Sequence, residues 1–359
     1  MEHDLNIAPP EARPNKYYAI ARTIKNRIMS GEITHRLPSV PMMAKEFSVT
    51  PVTMQKALDL LKEDGCVIAI PGKGSFITRL KRPRAHTIGA VISSLGPLGT
   101  TLAQGIQDAS REFGQSLLIE NYGPQSPHTL PRIQKLIERE QVDGFILWPD
   151  EDLSETAETI KVLDDAKIPY VITPLLEFQQ FTNSTTVTNA DGAPTSDVMT
   201  HLIGTGHKKI GYVTSESALD SHYSTRRYQQ YERSMKVSGL KPMSPILVSD
   251  AHVDEAPQDV VAVLKKLDAV FCVTDRVALS IVRACLRNKI GVPEDLAIAS
   301  FDNTVVAQEL GITSVEQHFE RIGAHAVKLL LDEIEGHRSS PVHEVIEAEL
   351  IIRPSTRLA

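Results

Sequence analysis

From Thr87 onward the chain alternates short, continuously apolar runs with stretches of helical period, and this alternation leaves few folds open. The apolar runs are TIGAVI, SLLIEN, GFILW, YVIT, KIGYVT, ILVS, AVFCVT and LAIASF. Helical spacing fills the intervals near 100–113, 128–140, 153–166, 192–204, 225–238, 255–266, 276–289 and 320–335. Runs this short and this apolar suit strands buried on both faces, and a helical crossover returns each strand parallel to the last. The fold class is therefore α/β, with parallel sheets covered on both sides. About 270 residues is more than one ordinary core holds, so two α/β lobes are expected.

Upstream lies a shorter section of different character. Residues 1–13 are polar and rich in proline, and read as a disordered arm. Tyr17, Ile20, Ile24 and Ile28 then recur at helical spacing. Ser39 is placed to cap a second helix through Met42, Met43, Ala44 and Phe47. Thr50-Pro51 is a strong start for a third, because proline at the first helical position forfeits no hydrogen bond. Met54, Ala57, Leu58 and Leu61 form its buried stripe.

Two short helices meeting at such a turn, the second with a polar outer face, suit the major groove of DNA. Val52, Thr53, Gln55, Lys56 and Asp59 lie on that face. Gln can read an adenine edge, Thr a phosphate or a thymine methyl, and Lys a phosphate or guanine. CVIAI and SFITR follow as two strands joined by Pro71-Gly72-Lys73-Gly74. Glycines there admit a sugar-phosphate wall close to the backbone, and Lys73 brings a charge to it. The candidate DNA-binding residues are thus Ser39, Thr50, Val52, Thr53, Gln55, Lys56, Gly72 and Lys73.

Charge divides the chain in the same way. Residues 13–85 carry 14 Lys and Arg against 5 Asp and Glu, whereas residues 86–359 carry 24 against 37. A basic head on an acidic body implies that only the head meets a polyanion. The joining stretch Arg79-Leu80-Lys81-Arg82-Pro83-Arg84 either follows a phosphate backbone or is a solvated hinge.

Several function classes are excluded by what the sequence lacks. There is no basic segment leading into an apolar one at the N-terminus, and no apolar run approaches the ~20 residues of a membrane span. The expected location is the cytoplasm. Cys66, Cys272 and Cys285 have no paired spacing and read as reduced core residues. No histidine grouping has metal-ligand spacing; His201 and His207 read as capping or packing residues. With no GxSxG elbow, phosphate loop or dinucleotide fingerprint, neither catalysis nor a cofactor is expected.

In open α/β sheets, ligands sit beyond the carboxyl ends of the strands. That rule selects Ser93 and Ser94 after the first strand, Asp275 after FCVT, and Asp302-Asn303 after IASF. Asp275 precedes a helix, so capping and ligand binding stand open as alternatives.

The stretch YYAIARTIKNRIMSGEI, the stretch LPSVPMMAKEFSVTPVTMQKALDLLKEDG and the loop IPGKGSFI together resemble the winged helix-turn-helix domain of the GntR family. Many members carry arginines where this chain has Pro51 and Gln55, so base-reading arginines do not carry over. The stretches VDGFILW, HLIGTGHKKIGYVT, AVFCVTDRVALSIVRACLRNKIGVPEDLAIASFDN, TSVEQHFERIGAHAVKLLLDEI and ELIIRPSTR resemble the effector domain of LacI/GalR regulators, a periplasmic-binding-protein-like fold. The resemblance implies a winged head over 14–78, a linker over 79–85 and an effector domain over 86–359. One lobe would comprise about 86–187 and 318–341, the other about 188–317 and 342–359, with crossings near 186–190, 315–319 and 340–343.

It also implies ligand roles for Ser93, Arg227, Thr274, Asp302 and Gln317, beside Ser94 and Asp275 from the strand-end rule. Arg227 matches the Arg of an R-x-x-G-aromatic motif, with Gln230 in place of Gly and Tyr231 as the aromatic. The implied function is a transcriptional repressor that binds double-stranded operator DNA as a homodimer and senses a small, sugar-like effector. A solute-binding transport component would suit the body alone, though not the basic head. A body that answers to a protein partner is the other reading, because the ligand motif is altered.

Overall fold

Helical spacing in the head closes a small core around three helices, α1 (Lys16–Met29), α2 (Val40–Glu46) and α3 (Pro51–Glu63). This is seen in a computed structural model that describes residues 16–29, 32–33, 35–63, 66–70, 74–77, 84–92, 96–121, 129–149, 153–173, 183–189, 192–249, 258–337 and 341–357. Residues 1–13 and 79–83, read above as arm and linker, lie outside the described residues. Ile20, Ala21, Ile24 and Ile28 of α1 pack with Met43 and Ala44 of α2 and with Met54, Ala57, Leu58 and Leu61 of α3. Strands β1 (Val67–Ile70) and β2 (Gly74–Ile77) pair antiparallel, with Val67 opposite Ile77 and Ile70 opposite Gly74. The segment before α2 joins them: Leu37 N–H donates to Ser75 O at 2.9 Å, and Arg36 bridges to Phe76. Gly74 has φ +103°, and a Cβ there would meet Arg36 Nη2 at 3.0 Å, so glycine serves both conformation and space.

The chain divides into two units, Met1–Pro83 and Arg84–Ala359. The second begins with β3 (Thr87–Ile92), α4 (Pro97–Glu112), β4 (Ser116–Asn121), α5 (Thr129–Glu138), β5 (Gly144–Trp148), α6 (Leu153–Ala166), β6 (Tyr170–Ile172) and β7 (Thr185–Asn189). It continues through α7 (Gly192–Gly204), β8 (Ile210–Ser215), α8 (His222–Val237), β9 (Ile246–Val248), α9 (Gln258–Leu264), β10 (Ala269–Cys272), α10 (Asp275–Arg287) and β11 (Ala297–Phe301). Helix α11 (Val305–Glu309), β12 (Thr313–Glu316), α12 (Phe319–Ile334), β13 (His343–Ile346) and β14 (Glu349–Ile351) complete it.

These strands form two six-stranded sheets, in the orders β4-β3-β5-β6-β7-β13 and β9-β8-β10-β11-β12-β14. The first is parallel throughout, and only β14 of the second runs antiparallel to its neighbour. Each sheet has its own buried core. Ile88, Ile146, Leu330 and Val327 belong to the first, and Tyr212, Val270, Phe271, Ile281 and Phe301 to the second. The chain leaves the first sheet after Asn189, returns at Gln317–His318, and leaves again between Ile346 and Glu349.

The last passage differs from the expectation near 340–343, because His343–Ile346 pairs with β7 and so stays in the first lobe. Four strands escape the apolar-run criterion: TTVTN, TSVE, HEVI and ELI. In β7 the threonines are buried and find partners within the fold, as Thr186 Oγ1 does with His343 Nδ1 at 3.0 Å. Helix α8 starts three residues earlier than its periodicity indicates, because Ser221 caps it by accepting from Ser224 N–H at 3.3 Å. His201 and His207 are packing residues: His201 Nε2 meets Thr356 Oγ1 at 2.8 Å and His207 Nδ1 meets Leu202 O at 3.0 Å. The three cysteines are free and buried.

Candidate functional site

In the head, α3 presents the polar face that its sequence spacing assigns. Thr50 caps it: its Oγ1 accepts from Thr53 N–H at 3.3 Å and lies 2.9 Å from Thr53 Oγ1. Val52 is 68% exposed, a large apolar side chain that a thymine methyl could cover. Gln55 and Lys56 are less free than the sequence implies. Gln55 donates to Asp59 Oδ1 at 2.9 Å, and Lys56 Nζ stands 5.8 Å from the Tyr17 ring centroid. Ser39 occupies the N-cap position of α2, but its side chain makes no cap bond; Pro41 in the first turn leaves fewer amides to cap. Gly72 and Lys73 lie outside the described residues.

In the body, the ends of the parallel strands assemble a polar chain that runs from one lobe to the other. Asn189, which ends β7, donates from Nδ2 to Gln317 Oε1 at 2.5 Å. Gln317, just past β12, donates from Nε2 to Asp302 Oδ1 at 2.7 Å. Asp302 Oδ1 in turn lies 3.9 Å from Arg227 Nη1. Arg227 is 4% exposed, its guanidinium 3.5 Å from the Phe301 ring centroid and 5.3 Å from that of Tyr223, with Nη1 donating to Val273 O at 2.7 Å. Asp302 sits at φ +105° and His318 at φ +56°, conformations that cost a non-glycine residue about 1–3 kcal/mol. Nearby in sequence, Phe319 at the start of α12 packs on Trp148 at the end of β5, ring centroids 5.4 Å apart.

The structure therefore brings Arg227, Asp302 and Gln317 together and separates Asp275 from them in role. Asp275 is 1% exposed and opens α10, with Thr274 at the N-cap, whose Oγ1 accepts from Val277 N–H at 3.4 Å. Its carboxylate accepts from Ser300 Oγ (2.5 Å), Ser314 Oγ (2.7 Å), Thr304 N–H (2.6 Å) and Thr304 Oγ1 (2.9 Å). Burial pushes this carboxyl up and the four donors pull it back, leaving it above the ordinary carboxylate range. Both oxygens of Asp275 are thus engaged by β11, β12 and the α11 entry, and the N-cap position of α10 belongs to Thr274. Ser93 and Ser94 lie outside the described residues.

Asn189, Tyr223 and Phe301 are the residues that sequence reasoning missed. The strand-end rule finds Asn189 once TTVTN is recognised as a strand, and β-branched enrichment was the available signal.

A winged helix-turn-helix and a two-lobed α/β body with polar groups at its strand ends define a one-chain regulator. The sequence matches the gntR family of bacterial regulatory proteins over residues 16–77 and the periplasmic binding protein-like domain over residues 199–356. It is 23% identical over 365 residues to the arabinose metabolism transcriptional repressor of Geobacillus stearothermophilus, covering 95% of this chain and 98% of that one. It is 27% identical to the HTH-type transcriptional regulator CelR of Thermobifida fusca, covering 86% and 90%. A solved CelR–cellobiose complex superposes with a TM-score of 0.63 at 24% identity, over 96% of this chain and 100% of that one, which shows the fold. This chain is a DNA-binding transcription regulator built from a gntR-family head and a periplasmic-binding-protein-like body. Among the described residues no helix is long and apolar enough to cross a membrane, and no group of side chains could hold a metal ion.

Proposed function

We propose that this chain is a cytoplasmic repressor, a homodimer on a pseudo-palindromic operator, whose grip on DNA is set by a small polar ligand held between the two lobes. The observation that carries this reading is the polar chain Asn189–Gln317–Asp302···Arg227, which draws on both lobes at the strand ends. Asp302 offers charged acceptors to ligand hydroxyls, and Arg227, its guanidinium over the Phe301 ring, offers planar donors beside it. A sugar-like compound suits this mixture. The relatives support that class, one named for arabinose metabolism and another solved with cellobiose.

A ligand that bridges the lobes stabilises one relative arrangement of them, and linkage obliges operator DNA and ligand to alter each other's affinity by the same factor, typically about 1–3 kcal/mol. The test is a thermal-shift screen of the full chain against pentoses, hexoses, sugar acids, sugar phosphates and purines, followed by gel shift on the DNA upstream of its own gene. Ligand at 100 times its Kd should add about 2.7 kcal/mol of stability. Asp302→Ala and Arg227→Ala should each abolish that gain. No response across the panel from a folded protein would overturn the small-molecule reading and favour a protein partner.

A further inference from the structure

The first lobe ends in a row of side chains that the polar chain uses only in part. Ile146, Val171 and Val187 belong to the core that Ile322, Ala326 and Val327 of α12 complete, whereas Phe145, Leu147, Tyr170 and Ile172 pack on the other side of the sheet. Side chains alternate along a strand, so Trp148, Thr173 and Asn189, each two residues further on, stand on the α12 face at the carboxyl ends of β5, β6 and β7. Asn189 is bonded to Gln317. Trp148, the only tryptophan in the chain, is half-buried with Phe319 against it. Thr173 is fully buried and its N–H donates to Leu147 O at 2.7 Å, but its Oγ1 meets no hydrogen-bond partner among the described residues. A hydroxyl buried without a partner is costly, and it marks a place where one belongs.

Charge narrows what that partner can be. The segments that follow the carboxyl ends of β3 to β12 contain eleven Asp and Glu and no Lys or Arg. Lys167, Lys208, Lys209 and Lys289 all lie in turns at the opposite ends of the strands. Arg227 does stand among the strand ends, but it faces Asp302 at 3.9 Å. An anionic ligand would enter a field of its own sign, so a neutral one is favoured. The aromatic rings add a shape. Those of Trp148 and Phe319 touch at a tilt of 41°, forming one platform rather than parallel plates around a planar base. An indole face suits the C–H face of a saturated ring whose hydroxyls radiate from its edge.

We propose that Trp148 and Thr173 select the ligand, and that it is an uncharged pyranose. Its C–H face lies on Trp148, one oxygen meets the Thr173 hydroxyl, and its far edge meets Asp302 and Arg227. The proposal deepens the small-molecule reading and rests on it. It excludes sugar acids and sugar phosphates, which the charge at the strand ends would repel.

The test uses the full-length protein and the emission of Trp148, with melting temperature as a second readout. The probes are D-glucose, D-xylose, L-arabinose and cellobiose, set against D-glucuronate, D-glucose 6-phosphate and adenosine. At least one neutral sugar should shift the emission saturably and raise the melting temperature, and the other three compounds should do neither. Thr173→Val keeps the side-chain shape and removes the hydroxyl. It should leave the melting temperature of the free protein unchanged or higher, and raise Kd for that sugar roughly tenfold. Thr173→Ser should keep the wild-type affinity. A sugar that stabilises the chain, while Trp148 emission stays constant and Thr173→Val binds as tightly as wild type, would overturn the proposal and leave the small-molecule reading standing. Tighter binding of glucuronate, the phosphate or adenosine would do the same. If no probe stabilised the folded chain, both would fall.

Discussion

Asp275 and Asp302 both lie close behind strands of the second sheet, and their surroundings give them opposite work. Asp275 is held by four donors from β11, β12 and the entry to α11, so it welds three segments of one lobe. Removing one partner from a buried charged network typically costs about 3–5 kcal/mol, because the remaining groups lose both the bond and their access to water. Asp275→Ala should therefore lower unfolding stability by about that amount, read from urea midpoints at constant slope. Asp302 meets Gln317 and stands 3.9 Å from Arg227, in a backbone conformation that strains it. Its replacement is expected to act on the ligand response described above rather than on the fold. A stability loss for Asp302→Ala as large as that for Asp275→Ala would contradict this division.

At the scale of elements, α4 and α12 pack with their backbones close together. A Cβ on Gly105 would fall 2.0 Å from Glu320 O, and one on Gly323 would fall 2.6 Å from Leu102 O, so the two helices touch backbone to backbone. Helical propensity alone favours alanine over glycine by about 1 kcal/mol. The clash is against a carbonyl, which cannot rotate away as a side chain could, and overpacking of this kind typically costs about 1–3 kcal/mol or more. Gly105→Ala should thus destabilise the protein despite its better propensity, with the loss read by urea unfolding. Because α12 begins two residues after Gln317, the variant should also weaken the ligand response. An increase in stability would show that α12 can slide freely along α4.

For the whole molecule, the two units have separate cores. Ile24, Met54, Leu58 and Leu61 close the head, and the body's clusters draw on residues from Ile88 onward. Calorimetry of the full chain should show two transitions, and a ligand of the cleft should raise only that of the body. DNA should act on that of the head, and on the body only through linkage. A single transition that both ligands shift together would mean that the units unfold as one.

Local physics determined much of this protein before any folding. The period of 3.6 in α1 and α3, the Thr50-Pro51 start and the apolar runs of the body are nearest-neighbour properties, and they set the elements and their class. The basic head and acidic body are likewise visible in composition. Tertiary structure alone decided the rest. TTVTN is a buried strand because its hydroxyls and side chains find partners only in the assembled sheet, so polarity hid it from a rule based on apolar runs. Asn189 and Gln317 are 128 residues apart, and Asp275 meets Ser314 across 39, so no local pattern could pair them. Two aspartates at similar places behind strands look alike along the chain. Which one is spent on the fold and which faces its partners at the crossover depends on the groups that burial brings to each.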